Sequence, residues 1–81
     1  CVPHAWCHMV GVAAEIQMAA VVPNMPYFET PIAYPPSPII EDLLVPKVEV
    51  RADGTIEVPD RPGLGFELNE RVVSKYRVDP Y

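Results

Sequence analysis

The chain is short of positive charge. Six Lys and Arg stand against eleven Asp and Glu, a formal net charge of −5 at pH 7. Nucleic-acid binding needs a basic footprint, so that class of partner is excluded. An anionic membrane surface is excluded on the same ground. Long apolar runs are also missing. The most apolar stretch, 9–22, is interrupted by Glu15 and Gln17, and a bilayer span takes about 20 apolar residues. No basic segment leads into a clean apolar run, so the expectation is a protein without an export signal. Cysteine is scarce. Cys1 and Cys7 are the only two, too few for a disulfide framework. Without an export signal they fit free thiols in the reducing cytoplasm better than a Cys1–Cys7 disulfide. There is no internal repeat, no charge run, no Ser/His/Asp set, no phosphate-binding loop and no paired-carboxylate motif.

Proline is what the chain has in excess, eleven in 81 residues against an average share of about 5%. Hydrophobic residues still make up 49%, which argues against simple disorder. A chain of this length holds at most one small domain and is marginally stable without help. High apolar content with little regular patterning points to surface that is buried against something else.

Residues 1–3 read as the end of a strand. Residues 9–22 read as a helix: Ala13, Ala14, Ala19 and Ala20 are good helix formers, and Val10, Ala13, Ala14, Gln17 and Met18 keep the i, i+3, i+4 spacing. Pro23-Asn24 stops it. Residues 27–29 form a short strand with aromatic β formers. Prolines dominate 30–38, a loop of extended character. A short helix is predicted over 39–44, started by Ser37 or Pro38 and ended by Pro46. Residues 47–50 and 56–58 alternate as two strands of a hairpin, turned by Ala52-Asp53-Gly54-Thr55. A Pro/Gly loop fills 59–65. Asn69 looks like an N-cap with Glu70 in the first turn. Val72, Val73 and Tyr76 give the last helix its apolar stripe.

Pro3-His4-Ala5-Trp6 and Pro26-Tyr27-Phe28-Glu29 therefore place an acid/base and a carboxylate at the ends of two strand-like pieces, one helix apart. That is the layout of the last part of a (β/α)8 barrel. Such a barrel needs about 250 residues, so the 81 residues read as a piece of an enzyme.

Three stretches together resemble the C-terminal end of the mandelate racemase/muconate-lactonizing enzyme group of the enolase superfamily. They are Val2-Pro3-His4-Ala5-Trp6, Pro23-Asn24-Met25-Pro26-Tyr27-Phe28-Glu29, and Ala52-Asp53-Gly54-Thr55-Ile56-Glu57-Val58-Pro59 running into Pro62-Gly63-Leu64-Gly65-Phe66-Glu67-Leu68. The resemblance implies an α/β fold. Residues 1–46 would be the end of a (β/α)8-type barrel, with strands seven and eight. Residues 47–81 would be a tail whose hairpin and helix rejoin an α+β capping domain. It also implies Mg²⁺, bound by residues outside this chain, and removal of a proton α to a carboxylate. The Pro-His-Ala form resembles sugar-acid dehydratases more than racemases. The implied partners are the remainder of the barrel and cap, a sugar-acid substrate, and further copies of the complete enzyme.

On that map His4 is the general acid/base, because a histidine titrates near neutral pH. His8, just before the helix, is the rival for the same role, or a substrate contact. Glu29 hydrogen-bonds a substrate carboxylate oxygen. Trp6 shapes the substrate pocket, although a Trp is more often simple packing. Cys1, His4, Cys7 and His8 match no standard zinc spacing. The alternative of another class is a non-catalytic polypeptide that folds only against a partner chain.

Overall fold

The computed structural model describes residues 1–4, 8–30 and 35–79. Trp6 and Cys7 lie outside the described residues, so the pocket role of Trp6 and any Cys1–Cys7 pairing do too.

The helix α1 spans Met9–Ala19. Its regular part ends three residues before the predicted limit. Val21 and Val22 both donate to the Met18 carbonyl, at 3.1 and 3.2 Å, a tightened last turn of the kind that closes helices. Pro23 has no N–H to extend the ladder.

The predicted strands at 1–3 and 27–29 carry no ladder pairing. They lie beside each other through two other contacts. The Cys1 ammonium donates to the Asn24 carbonyl at 2.6 Å, and His4 meets Glu29 at 2.8 Å. Both contacts advance along the chain in the same sense, so the segments run parallel, joined by α1. A parallel neighbour reached through a helix is the βαβ arrangement. Ladder bonds are missing because none of these backbone groups finds a strand partner among the described residues.

The segment leading into the tail departs from expectation at 39–44. The helix α2 is only Pro38–Glu41. Leu44 belongs to the strand β1, Leu44–Val45, which pairs antiparallel with β2, Glu67–Leu68, in the register Leu44↔Leu68 and Val45↔Glu67. Pro46 accounts for this locally, because the residue before a proline is pushed out of the helical region. Burial accounts for the rest, since Leu43 and Leu44 are both core residues. The Asn69 N–H donates to Leu43 at 2.8 Å, and α3, Glu70–Tyr76, follows. Asn69 caps it as expected, accepting from the Arg71 N–H at 3.2 Å.

The hairpin at 50–56 is tighter than predicted. Only Val50 and Ile56 bridge, with Arg51 N–H donating to Thr55 at 2.8 Å. Gly54 takes φ +81°, the left-handed position a three-residue hairpin loop requires. Asp53 Oδ1 accepts from the Thr55 N–H at 3.0 Å and from the Thr55 hydroxyl at 2.7 Å. Those hydrogen bonds hold the Asp53 carboxyl below its ordinary value of 3.8. A carboxyl depressed on folding supports the fold above that value and loses its support as pH falls through the depressed one. Acidification below pH 3.8 is therefore expected to raise amide exchange at Thr55 selectively. Asp53→Asn should remove that acid dependence, read by hydrogen exchange across a pH series.

One small core holds these parts together. Val12 and Ile16 of α1 are buried, with Met9, Phe28, Val48, Ile56 and Phe66 packed against them. The helix thus packs on the tail and on the segment leading to Glu29 at once. The molecule is nevertheless loose for its mass. Its accessible surface is 6206 Å², where a compact monomer of this size exposes about 4,900 Å². Its radius of gyration is 13.5 Å against about 11.7 Å for a compact chain. The excess is of the order that one protein interface covers.

Candidate functional site

The central feature is the contact between His4 Nδ1 and Glu29 Oε2, 2.8 Å across 25 residues of sequence. Pro3, which is buried, fixes the chain just before His4. Phe28, packed on the Val12–Ile16 cluster, fixes it just before Glu29. Each functional side chain therefore follows an anchored apolar residue. The side chains are open, 72% and 50% exposed. At such exposure an ion pair adds little stability. An imidazole beside a carboxylate can accept, hold and return a proton.

His8 sits elsewhere on the same connection. It is the N-cap of α1, with extended backbone (φ −70°, ψ 162°) and no side-chain capping bond. Its carbonyl accepts from the Gly11 N–H at 3.0 Å. The geometry thus joins His4 to Glu29 and gives His8 a helix-start position.

Two clefts lie away from this pair. One, about 410 Å³, runs between the hairpin and the 59–66 loop. Two of its cations are already paired, Lys47 with Asp42 at 2.5 Å and Arg51 with Glu57 at 2.8 Å. The first contact raises the Lys47 pKa through hydrogen bonding and charge. The other cleft, about 300 Å³, is mostly apolar and lies between the end of α1, residues 25–28 and the hairpin. Neither cleft is lined by His4 or Glu29.

The described residues do not fit a metal site. No group of three or more His, Cys, Asp or Glu side chains among them could hold an ion. No described helix is long and apolar enough to cross a membrane. The side chain that sequence reasoning missed is Gln17. Its amide donates to the carbonyls of Pro59 and Leu64, at 3.3 and 3.2 Å. It ties α1 to the Pro/Gly loop of the tail. A polar amide in a mostly apolar helix was the available signal.

Comparison with known proteins bears on the family. Residues 1–72 match the family described as Enolase C-terminal domain-like. A D-gluconate dehydratase from Thermoproteus tenax is 37% identical over 71 residues, covering 88% of this chain and 14% of that protein. A D-galactarolactone cycloisomerase from Agrobacterium fabrum is 34% identical over 87 residues, covering 98% of this chain and 22% of that protein. The chain thus spans less than a quarter of the length of either relative. No solved structure gives a significant match. With the match running from the His4 segment through the tail, the chain belongs to the enolase C-terminal domain-like family.

Proposed function

We propose that this chain is the C-terminal portion of a sugar-acid dehydratase of the enolase superfamily, with His4 as its acid/base. The observation that carries the reading is the apposition of His4 and Glu29 at the ends of two parallel segments. The names of the two relatives support the substrate class. Residues 1–46 end the barrel and residues 47–81 return to the capping domain, in an enzyme of the cytosol that assembles from several copies.

The reaction breaks the bond from the α-carbon to its hydrogen, and the electron pair enters the substrate carboxylate as an enediolate. The β carbon–oxygen bond then breaks, and the hydroxyl leaves as water. The resulting enol becomes a 2-oxo acid. The proton account closes on His4 alone: the imidazole takes the α-proton and the imidazolium returns it to the departing hydroxyl. Glu29 lies beside the substrate carboxylate and, when it carries a proton, donates a hydrogen bond that strengthens as charge develops and so acts mainly on kcat. Mg²⁺, which the family implies, supplies a hard cation for the carboxylate oxygens and would be held by acidic residues outside this chain.

A non-catalytic subunit that folds against a partner accounts for the excess surface equally well. It leaves the pairing of His4 with Glu29 unexplained, and so ranks second.

The test is two-armed. The full-length protein with Mg²⁺ is offered a panel of aldonic and aldaric acids, and 2-oxo acid is measured by its semicarbazone. Release from at least one acid is expected, and none from any of them would sink the dehydratase reading. The isolated 81-residue chain is melted alongside. It is expected to show no cooperative transition and no turnover, because its core is small and its apolar surface large. A sharp cooperative melt would make it an independent domain.

A further inference from the structure

We infer that Gln17 is a positioning residue for the reaction: its amide locks α1 to the closed Pro/Gly loop of the tail and so fixes the helix that stands between His4 and Glu29. The inference rests on the proposed role of His4. The two ends of the loop meet, since a Cβ on Gly65 would lie 2.5 Å from Cγ of Pro59. The carbonyls of Pro59 and Leu64 come within reach of one nitrogen, at 3.3 and 3.2 Å. A carbonyl only accepts, so neither satisfies the other. Pro59 and Pro62 have no N–H, and the Gly65 N–H donates to the Pro62 carbonyl at 3.2 Å. No N–H of the loop donates to either carbonyl. Gln17 supplies the donor from α1. A primary amide carries two hydrogens on one nitrogen, one for each carbonyl.

The same helix joins the two site segments. His4 precedes α1 and Glu29 follows it, and their side chains meet at 2.8 Å. A rotation or slide of α1 therefore moves one segment against the other. Beside Gln17 in the chain, Ile16 packs with Val12 against Phe28 and Phe66. Phe28 leads into Glu29, and Phe66 follows Gly65. That packing is apolar and non-directional, so it holds α1 in place without fixing its rotation. Hydrogen bonds weaken steeply when misaligned. The two from Gln17 thus add the directional constraint that the core lacks.

The experiment compares Gln17→Met and Gln17→Lys in the full-length protein. Met keeps the length of the side chain without a donor, and Lys puts donors back on a nitrogen. Amide exchange is read at Gly65, in the loop, and at Ile16, in the core. Turnover is read with the sugar acid of the panel that releases most 2-oxo acid. In Gln17→Met, protection at Gly65 is expected to fall about ten- to a hundredfold, the worth of two ordinary hydrogen bonds, and much less at Ile16. The kcat should fall about ten- to a hundredfold, the scale of a displaced site, with KM little changed. Gln17→Lys should recover most of both losses. Unchanged protection at Gly65 in Gln17→Met overturns the inference. An equal loss at Ile16 overturns it too, because that is general destabilisation. Lost protection at Gly65 with kcat untouched also overturns it, because the loop is then held without bearing on the site. His4→Asn keeps the two readings apart. If it stays active, the acid/base role of His4 falls, while a loss at Gly65 that Lys reverses still supports Gln17 as the lock on α1.

Discussion

His4→Asn in the full-length protein is expected to cut turnover by about 10²–10⁴-fold, the usual worth of a positioned proton-transfer group, while Mg²⁺ affinity stays near native. His8→Asn is expected to stay within a few-fold of the native rate. The two histidines are four residues apart, and the sequence left both open. The proposed function assigns the role to His4, and two observations favour it. His4 follows the buried Pro3 and meets a carboxylate at 2.8 Å. His8 is the N-cap of α1, with its backbone committed to the helix start. Asn is the chosen replacement because it keeps a polar side chain of similar reach near Glu29 but cannot carry a proton between substrate atoms. Loss of structure would change Mg²⁺ binding and rate together, whereas loss of proton transfer changes the rate alone. Steady-state kinetics with a Mg²⁺ titration on each variant decide it. An inactive His8→Asn beside a normal His4→Asn would move the acid/base to His8.

How much of this was legible beforehand depended on the range of the interactions. The cap at Asn69, the turn at Asp53-Gly54 and the stop at Pro23 are set by neighbours one to four residues away, and all three are present. Leu44 is different. Its strand state comes from Leu68, 24 positions on, and nothing near Leu44 except Pro46 announces it. The strands at 1–3 and 27–29 fail for the converse reason. Their composition suits strands, but ladder hydrogen bonds require a paired neighbour, and none is present among the described residues. The site was legible as a list of residues through family resemblance. That His4 and Glu29 touch was not, because a 25-residue loop closure cannot be read from spacing. Gln17 was passed over because its partners are backbone carbonyls at Pro59 and Leu64, which carry no side-chain signature.

Gly65→Ala is expected to destabilise the full-length protein by about 2–5 kcal/mol. Two costs combine. Gly65 has φ +83°, a region that costs an L-residue roughly 1–2 kcal/mol. The added Cβ would also lie 2.5 Å from Cγ and 2.6 Å from Cβ of Pro59. A proline ring cannot rotate aside, so the loop must shift, and overpacking of this sort costs about 1–3 kcal/mol. Gly63 provides the control. It has φ +65° with open space where a Cβ would stand, so Gly63→Ala should carry only the backbone cost of about 1–2 kcal/mol. Denaturant midpoints of the two variants measure the difference. Equal losses would show that Pro59 gives way and that the contact constrains nothing. The expected inequality has a structural consequence. Pro59 and Leu64 supply the two carbonyls that Gln17 grips from α1, and Phe66, next to Gly65, packs on Val12 and Ile16. A loop displaced at Gly65 therefore loosens the helix that connects the His4 segment to the Glu29 segment. Gly65→Ala should consequently reduce turnover as well as stability, although it lies in the tail and touches neither His4 nor Glu29.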